Sequence, residues 1–263
     1  MKLAITGKGG VGKTTTASLL AQSYAAAGQR VIAIDANPDA NLALALGFDP
    51  ILMQKIIPIS EMSDLIEERT GARPGSMGSI FKMNPRVDDI PDRFAIVKEN
   101  IRLLVMGSVK RGEGGCLCPE SSLLKSLISH LVFRTSDVVI MDMDAGVEHL
   151  GRGTAKAMDA FIIVVEPGQR SFQTARSIKV LASDLGISRH FIIGSKVTGE
   201  ADKKFITDSL QDFEILGFLD YNVEIVEADK KGANVFDNSP QAVQQITLIK
   251  DKLDELFVSK KGG

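Results

Sequence analysis

Between the apolar run Leu3-Ala4-Ile5 and an amphipathic stretch that begins at Lys13 lies Gly7-Lys8-Gly9-Gly10-Val11-Gly12-Lys13-Thr14-Thr15. A glycine-rich loop between a strand and a helix narrows the fold more than anything else in the chain. Its four glycines permit dihedrals that side chains resist, so successive backbone N–H groups converge on one concave anion site. The helix opening at Lys13 adds the positive end of its dipole. The spacing predicts a phosphate loop in which Gly9, Gly10, Val11 and Gly12 surround the phosphate chain. Lys13 then lies against the β- and γ-phosphates, Thr14 offers its hydroxyl to Mg²⁺, and Thr15 reaches the α-phosphate. The chain is expected to bind a nucleoside triphosphate.

At 263 residues and 44% hydrophobic, it can bury one substantial core without a second domain. Short apolar runs recur at 3–6, 31–35, 101–106, 138–142, 161–165, 191–195 and 215–218. Helical patterns separate them at 13–27, 61–70, 120–132, 171–185, 201–212 and 241–257. This alternation predicts a single α/β domain over 1–263, doubly wound, with a mostly parallel sheet and helices on both faces. Several runs are apolar at nearly every position, as strands covered on both sides should be. Turn-rich segments at 72–79 and 85–92 suggest an insertion over about 50–100, and Arg111–Pro119 reads as a loop carrying both cysteines. A net charge of −2 and a pI near 6.0 give no general attraction to nucleic acid or to an anionic membrane. Neither is expected as a partner, and the expected location is the cytoplasm.

Lys8 stands where phosphate binding by itself demands nothing. With it, Lys8-Gly9-Gly10-Val11-Gly12-Lys13-Thr14 resembles the deviant Walker A family, which includes MinD, ParA and the nitrogenase iron protein. The resemblance implies ATP as the nucleotide and a lysine, here Lys8, that crosses a homodimer interface to the partner's phosphates. Asp142-Met143-Asp144-Ala145-Gly146 resembles the family's switch II, whose first aspartate contacts the water shell of Mg²⁺. Asp35-Ala36-Asn37-Pro38-Asp39 resembles switch I, with Asp35 on the magnesium side. Asn37 occupies the place of the aspartate that orients the attacking water. An amide holds water but takes no proton at neutral pH, so slow hydrolysis is expected, with Asp39 two residues on read as its catalytic substitute. The family's base-reading Asn-Lys pair is replaced by Ser195-Lys196.

Cys116 and Cys118 supply two thiolates, half of a four-sulfur site for Zn²⁺ or Ni²⁺. Two copies of the chain would complete that site across a two-fold axis. Together with the phosphate loop and the segment 141–157, the C-x-C makes the chain resemble the CooC-type accessory ATPases over nearly its whole length. These proteins mature carbon monoxide dehydrogenase, and close relatives serve acetyl-CoA synthase, by helping to insert nickel. The resemblance implies a homodimer closed by ATP that holds a metal between paired cysteines and reopens on hydrolysis. Two other readings stay open: a positioning switch of the ParA/MinD type, and an iron–sulfur reductase. Glu148 and His149 are read as helix-start or packing residues. Leu253, Leu256 and Phe257 are read as core packing at helical spacing.

Overall fold

The computed structural model describes residues 1–75, 80–107, 118–144 and 157–258. Its strands are β1 (Lys2–Gly7), β2 (Val31–Asp35), β3 (Ile96–Lys98), β4 (Ile101–Val105), β5 (Val138–Asp142), β6 (Ala160–Val165), β7 (His190–Val197) and β8 (Glu214–Asp220). They form one sheet in the order β3-β4-β2-β5-β1-β6-β7-β8. All neighbours are parallel except β3 and β4.

The helices are α1 (Lys13–Ala26), α2 (Leu42–Ala45), α3 (Pro50–Met53), α4 (Ser63–Thr70), α5 (Ile90–Phe94) and α6 (Pro119–Arg134), followed by α7 (Gln169–Asp184), α8 (Glu200–Ser209), α9 (Val223–Lys230), α10 (Val235–Asn238) and α11 (Pro240–Val258). They cover the sheet on both sides. In β6, Phe161, Ile163 and Val165 face a core shared with α4, α6, α7 and Ile206 of α8. Ala160, Ile162 and Val164 face the opposite core, built with α1, α2, α9, α10 and α11. Successive strand side chains point to opposite faces, so a strand between two helical layers must be apolar at every position. β2, β5 and β6 are buried throughout.

On α11, Ala242, Ile246, Ile249 and Leu253 make one helical stripe against the sheet, and Leu256 and Phe257 pack beside it. The spacing at the C-terminal end of the helix therefore serves the core. Helix α1 is buried on nearly all sides and shows no amphipathic stripe, as expected of a helix enclosed by the sheet and α11. Among the described residues no helix is long and apolar enough to cross a membrane.

The sequence pattern does not show β3, which joins the sheet at its edge from within the 50–100 stretch and runs antiparallel. Three residues carry no period, and the chain reverses at once through Glu99, which has a φ of 52°. Helices α2, α3, α5 and α10 are equally too short to show periodicity. The helix expected over 61–70 is split: a 3₁₀ turn at Ile59–Glu61 ends at Met62, whose ψ of 74° breaks the spiral before α4.

β1 lies between β5 and β6, and chain connections depart to either side of it. The crevice outside the carboxyl ends of such strands is where open α/β sheets bind ligands.

Candidate functional site: a phosphate loop with two buried carboxylates

Gly7 closes β1 at a φ of 147°, where an added Cβ would run into the Val164 carbonyl of β6. Only glycine lets the chain leave the sheet this close to its neighbour. Five residues later Gly12, left-handed at φ 96°, turns the chain into α1 without any side-chain cap. Among the described residues, no backbone carbonyl beyond the strand and helix ladders accepts from the amides of residues 8–15; Thr16 is the first to find one, donating to Gly12 O at 2.9 Å. A loop whose donors are left for a ligand, at the start of a 14-residue helix, is an anion site.

Lys13 reaches into this site and is 9% exposed. Among the described residues its ammonium has only long contacts, 3.4 Å to Lys8 O and 4.0 Å to the Asp144 carboxylate. Thr14 donates its hydroxyl to Asp142 Oδ2 at 2.6 Å. Gly9 and Gly10 are exposed, Val11 is buried, and Thr15 is partly buried at the helix start.

Asp142 ends β5 opposite Asp35 at the end of β2, and both are fully buried. Burial pushes the Asp142 carboxyl up to about 7. The Thr14 hydroxyl opposes that rise, the neighbouring Asp35 adds to it, and Lys13 and the Asn37 amide pull the other way. Asp35 is raised as well, chiefly by burial, against the hydrogen bonds it accepts. Those bonds come from Leu42 N to Oδ2 at 2.8 Å and from Asn37 N to Oδ1 at 3.1 Å. Asp35, read from the sequence as a magnesium-side carboxylate of the catalytic set, thus ties the switch I turn to the start of α2 through both of its oxygens.

Asn37 is buried and Asp39 is exposed. Asp39 holds its own turn, its carbonyl accepting from Asn41 Nδ2 at 3.1 Å. Two buried oxygens, Asn37 Oδ1 and Asp142 Oδ1, have no hydrogen-bond partner among the described residues. A buried carboxylate oxygen without a donor, beside a threonine hydroxyl and the loop, is a hard oxygen set that suits Mg²⁺.

Lys8 is half-exposed and pairs with Glu166 at 3.3 Å. Glu166, just past β6, carried no sequence signal beyond its place at a strand end before a proline. Thr6 likewise carries no sequence signal; its hydroxyl donates to Asp144 O at 2.8 Å and secures the start of switch II. Ser195 and Lys196, expected at the base, lie against the loop. An added Cβ at Gly12 would sit 3.0 Å from Ser195 Oγ, and Lys196 Nζ donates to Gly10 O at 2.6 Å.

Cys118 caps the start of α6, with its Sγ 3.1 Å from Ser121 Oγ. Cys116, Gly146, Glu148 and His149 lie outside the described residues. Among the described residues no three His, Cys, Asp or Glu side chains gather as a metal site.

A parallel sheet, a glycine loop leading into a buried helix and a threonine joined to a strand-end aspartate define a P-loop nucleotide-binding protein. Residues 2–235 match the CobQ/CobB/MinD/ParA nucleotide-binding domain. The chain belongs to this family, as a CooC-like member. It is 46% identical over 240 residues to the carbon monoxide dehydrogenase accessory protein CooC of Rhodospirillum rubrum, covering 91% of each chain. It is also 46% identical to an ATP-binding protein of Methanocaldococcus jannaschii, over 88% of this chain and 90% of that one. The fold is that of MinD in the Aquifex aeolicus MinC:MinD complex, with a TM-score of 0.69 at 20% identity, covering 97% of this chain and 96% of that one.

Proposed function

We propose that this chain is an ATP-dependent, homodimeric maturation factor that assists nickel insertion into carbon monoxide dehydrogenase or acetyl-CoA synthase. The observation that carries the reading is the 46% identity to the Rhodospirillum rubrum accessory protein over nine-tenths of both chains. The uncommitted donors of the phosphate loop support it. In this reading the loop amides and Lys13 bind the ATP phosphates, and Thr14 and Asp142 hold Mg²⁺. Bound there, Mg²⁺ would supply neutralisation of the phosphate charge. Lys8 leaves Glu166 to reach the partner subunit's nucleotide, so triphosphate binding closes the dimer. Cys116 and Cys118 of each subunit then hold Ni²⁺, with Zn²⁺ as a surrogate, as cargo between the two copies. Hydrolysis to ADP and phosphate reopens the pair and releases the metal to the acceptor.

Metal content and oligomeric mass of the purified protein test this, after Ni²⁺ or Zn²⁺ addition, with and without ATP. The Cys116→Ala/Cys118→Ala variant is measured alongside. The expected result is about one metal per two chains in the wild type and none in the variant. Equal behaviour of the two proteins, with neither retaining metal, makes the cysteines incidental and leaves a positioning switch. A brown iron–sulfur chromophore instead points to a reductase.

Asn37 sets the expected rate. Its amide is buried next to the Asp35 carboxylate and can hold a water without accepting its proton. Asn37→Asp is expected to raise ATP turnover about tenfold by supplying a proton acceptor, read as phosphate release under saturating Mg·ATP. Turnover equal to or below that of the wild type shows that residue 37 does not limit hydrolysis.

A further inference from the structure

Lys196 breaks the local rules of its strand. It is one of two non-glycine residues with positive φ among the described residues, at 57°, a conformation that costs a side-chain-bearing residue about 1 kcal/mol. The pairing of β7 with β8 slips at this point: Ser195 faces Leu219, Val197 faces Asp220, and Lys196 is left as the extra residue of a bulge. A bulge bends the strand and re-aims a side chain. Here the side chain leaves the sheet and meets the phosphate loop, donating to Gly10 O at 2.6 Å across 186 residues of sequence. The same turn sets Ser195 Oγ against Gly12.

The peptide bond supplies the consequence. Gly10 C=O and Val11 N–H belong to one planar trans unit and point in opposite directions, so whatever holds the carbonyl also aims the amide. The bond is charge-assisted, stronger than one between neutral groups, and Gly10, at φ 80°, has no side chain to fix the unit by itself. We propose that Lys196 is a positioning residue of the phosphate loop: its ammonium fixes the Gly10 carbonyl on the β7 side and so presents the Val11 N–H to the anion. This rests on the nucleotide reading above and gives Lys196 a task other than touching the base. The strained bulge is kept because a regular strand would run Lys196 along the sheet and leave the loop unbraced.

The test compares wild type with Lys196→Met, Lys196→Gly and Lys196→Arg, using two probes: Mg·ATP and inorganic tripolyphosphate, which has no base. The glycine variant relieves the left-handed strain, so it is expected to melt at or above the wild-type temperature. It and the methionine variant should nonetheless bind both probes about five- to tenfold more weakly, with the arginine variant recovering most of the loss. In the nucleotide-free protein, the carbonyl carbon of Gly10 and the amide nitrogen of Val11 should shift together in the methionine variant. Loss of ATP affinity alone, with tripolyphosphate binding unchanged, makes Lys196 a base contact and overturns the inference. Both affinities within twofold of wild type overturn it as well. A wild-type protein that binds neither probe overturns the nucleotide reading, and this inference with it.

Discussion

Replacing Lys13 by methionine is expected to weaken Mg·ATP binding at least about a hundredfold while leaving the nucleotide-free protein as stable as the wild type or more so. The two halves of that expectation have one cause. Lys13 is 9% exposed, yet among the described residues its ammonium reaches only a carbonyl at 3.4 Å and a carboxylate at 4.0 Å. Both contacts are longer than an ordinary hydrogen bond. A nearly buried cation that its own fold satisfies so poorly adds little to stability, and methionine fills the same space without a charge to desolvate. Phosphate oxygens would complete it, each charge-assisted bond contributing about 1.5–3 kcal/mol. Two such bonds correspond to a hundredfold or more in affinity at about 1.4 kcal/mol per factor of ten. Titration with a fluorescent ATP analogue and urea unfolding of both proteins measure the two halves. A fall in affinity below tenfold, or a clear loss of stability, would show that Lys13 is a structural residue instead.

How much of this could be read from the chain follows from what a sequence can encode locally. The phosphate loop was legible because strand, loop and helix are contiguous and each residue type has a specific duty. The parallel sheet was legible because strands covered on both faces must be apolar throughout, as β5 and β6 are. Glu166 was hidden because its partner Lys8 lies 158 residues away, and an acidic residue at a strand end signals nothing by itself. The hydrogen bonds of Asp35 were hidden for a similar reason. A carboxylate at the end of β2 suggests a metal ligand, whereas the turn that follows brings the amides of Asn37 and Leu42 back onto both of its oxygens. The contact of Lys196 with the loop was hidden as well, because it depends on a register slip between β7 and β8. Such a slip is a property of two strands together and leaves no mark on either one alone.

Asp142→Asn is expected to stabilise the nucleotide-free protein near neutral pH while removing the Mg²⁺-dependent part of its ATP affinity. The Asp142 carboxyl is pushed up to about 7, first by burial and further by Asp35, against the pull of Thr14, Lys13 and Asn37. In the unfolded chain the same group ionises near pH 4. The folded state therefore binds the proton more tightly. Its stability is greatest below about pH 4, falls as pH rises toward about 7, and levels off above. At about 1.36 kcal/mol per pH unit the full interval sets a ceiling of roughly 4 kcal/mol. The group titrates jointly with Asp35, and about 2 kcal/mol is a more reasonable expectation. The asparagine variant keeps an acceptor for the Thr14 hydroxyl at 2.6 Å and has no charge to bury. It should gain about 2 kcal/mol over wild type at pH 7.5, converge with it near pH 4.5, and show no slope from this site. If Asp142 holds the cation as proposed, its removal should make ATP affinity indifferent to Mg²⁺. Urea unfolding at several pH values, with ATP titrations in magnesium and in chelator, gives both answers. Parallel stability profiles for variant and wild type would mean that Asp142 is not charged at the expense of the fold. Undiminished magnesium dependence in the variant would move the cation to other oxygens.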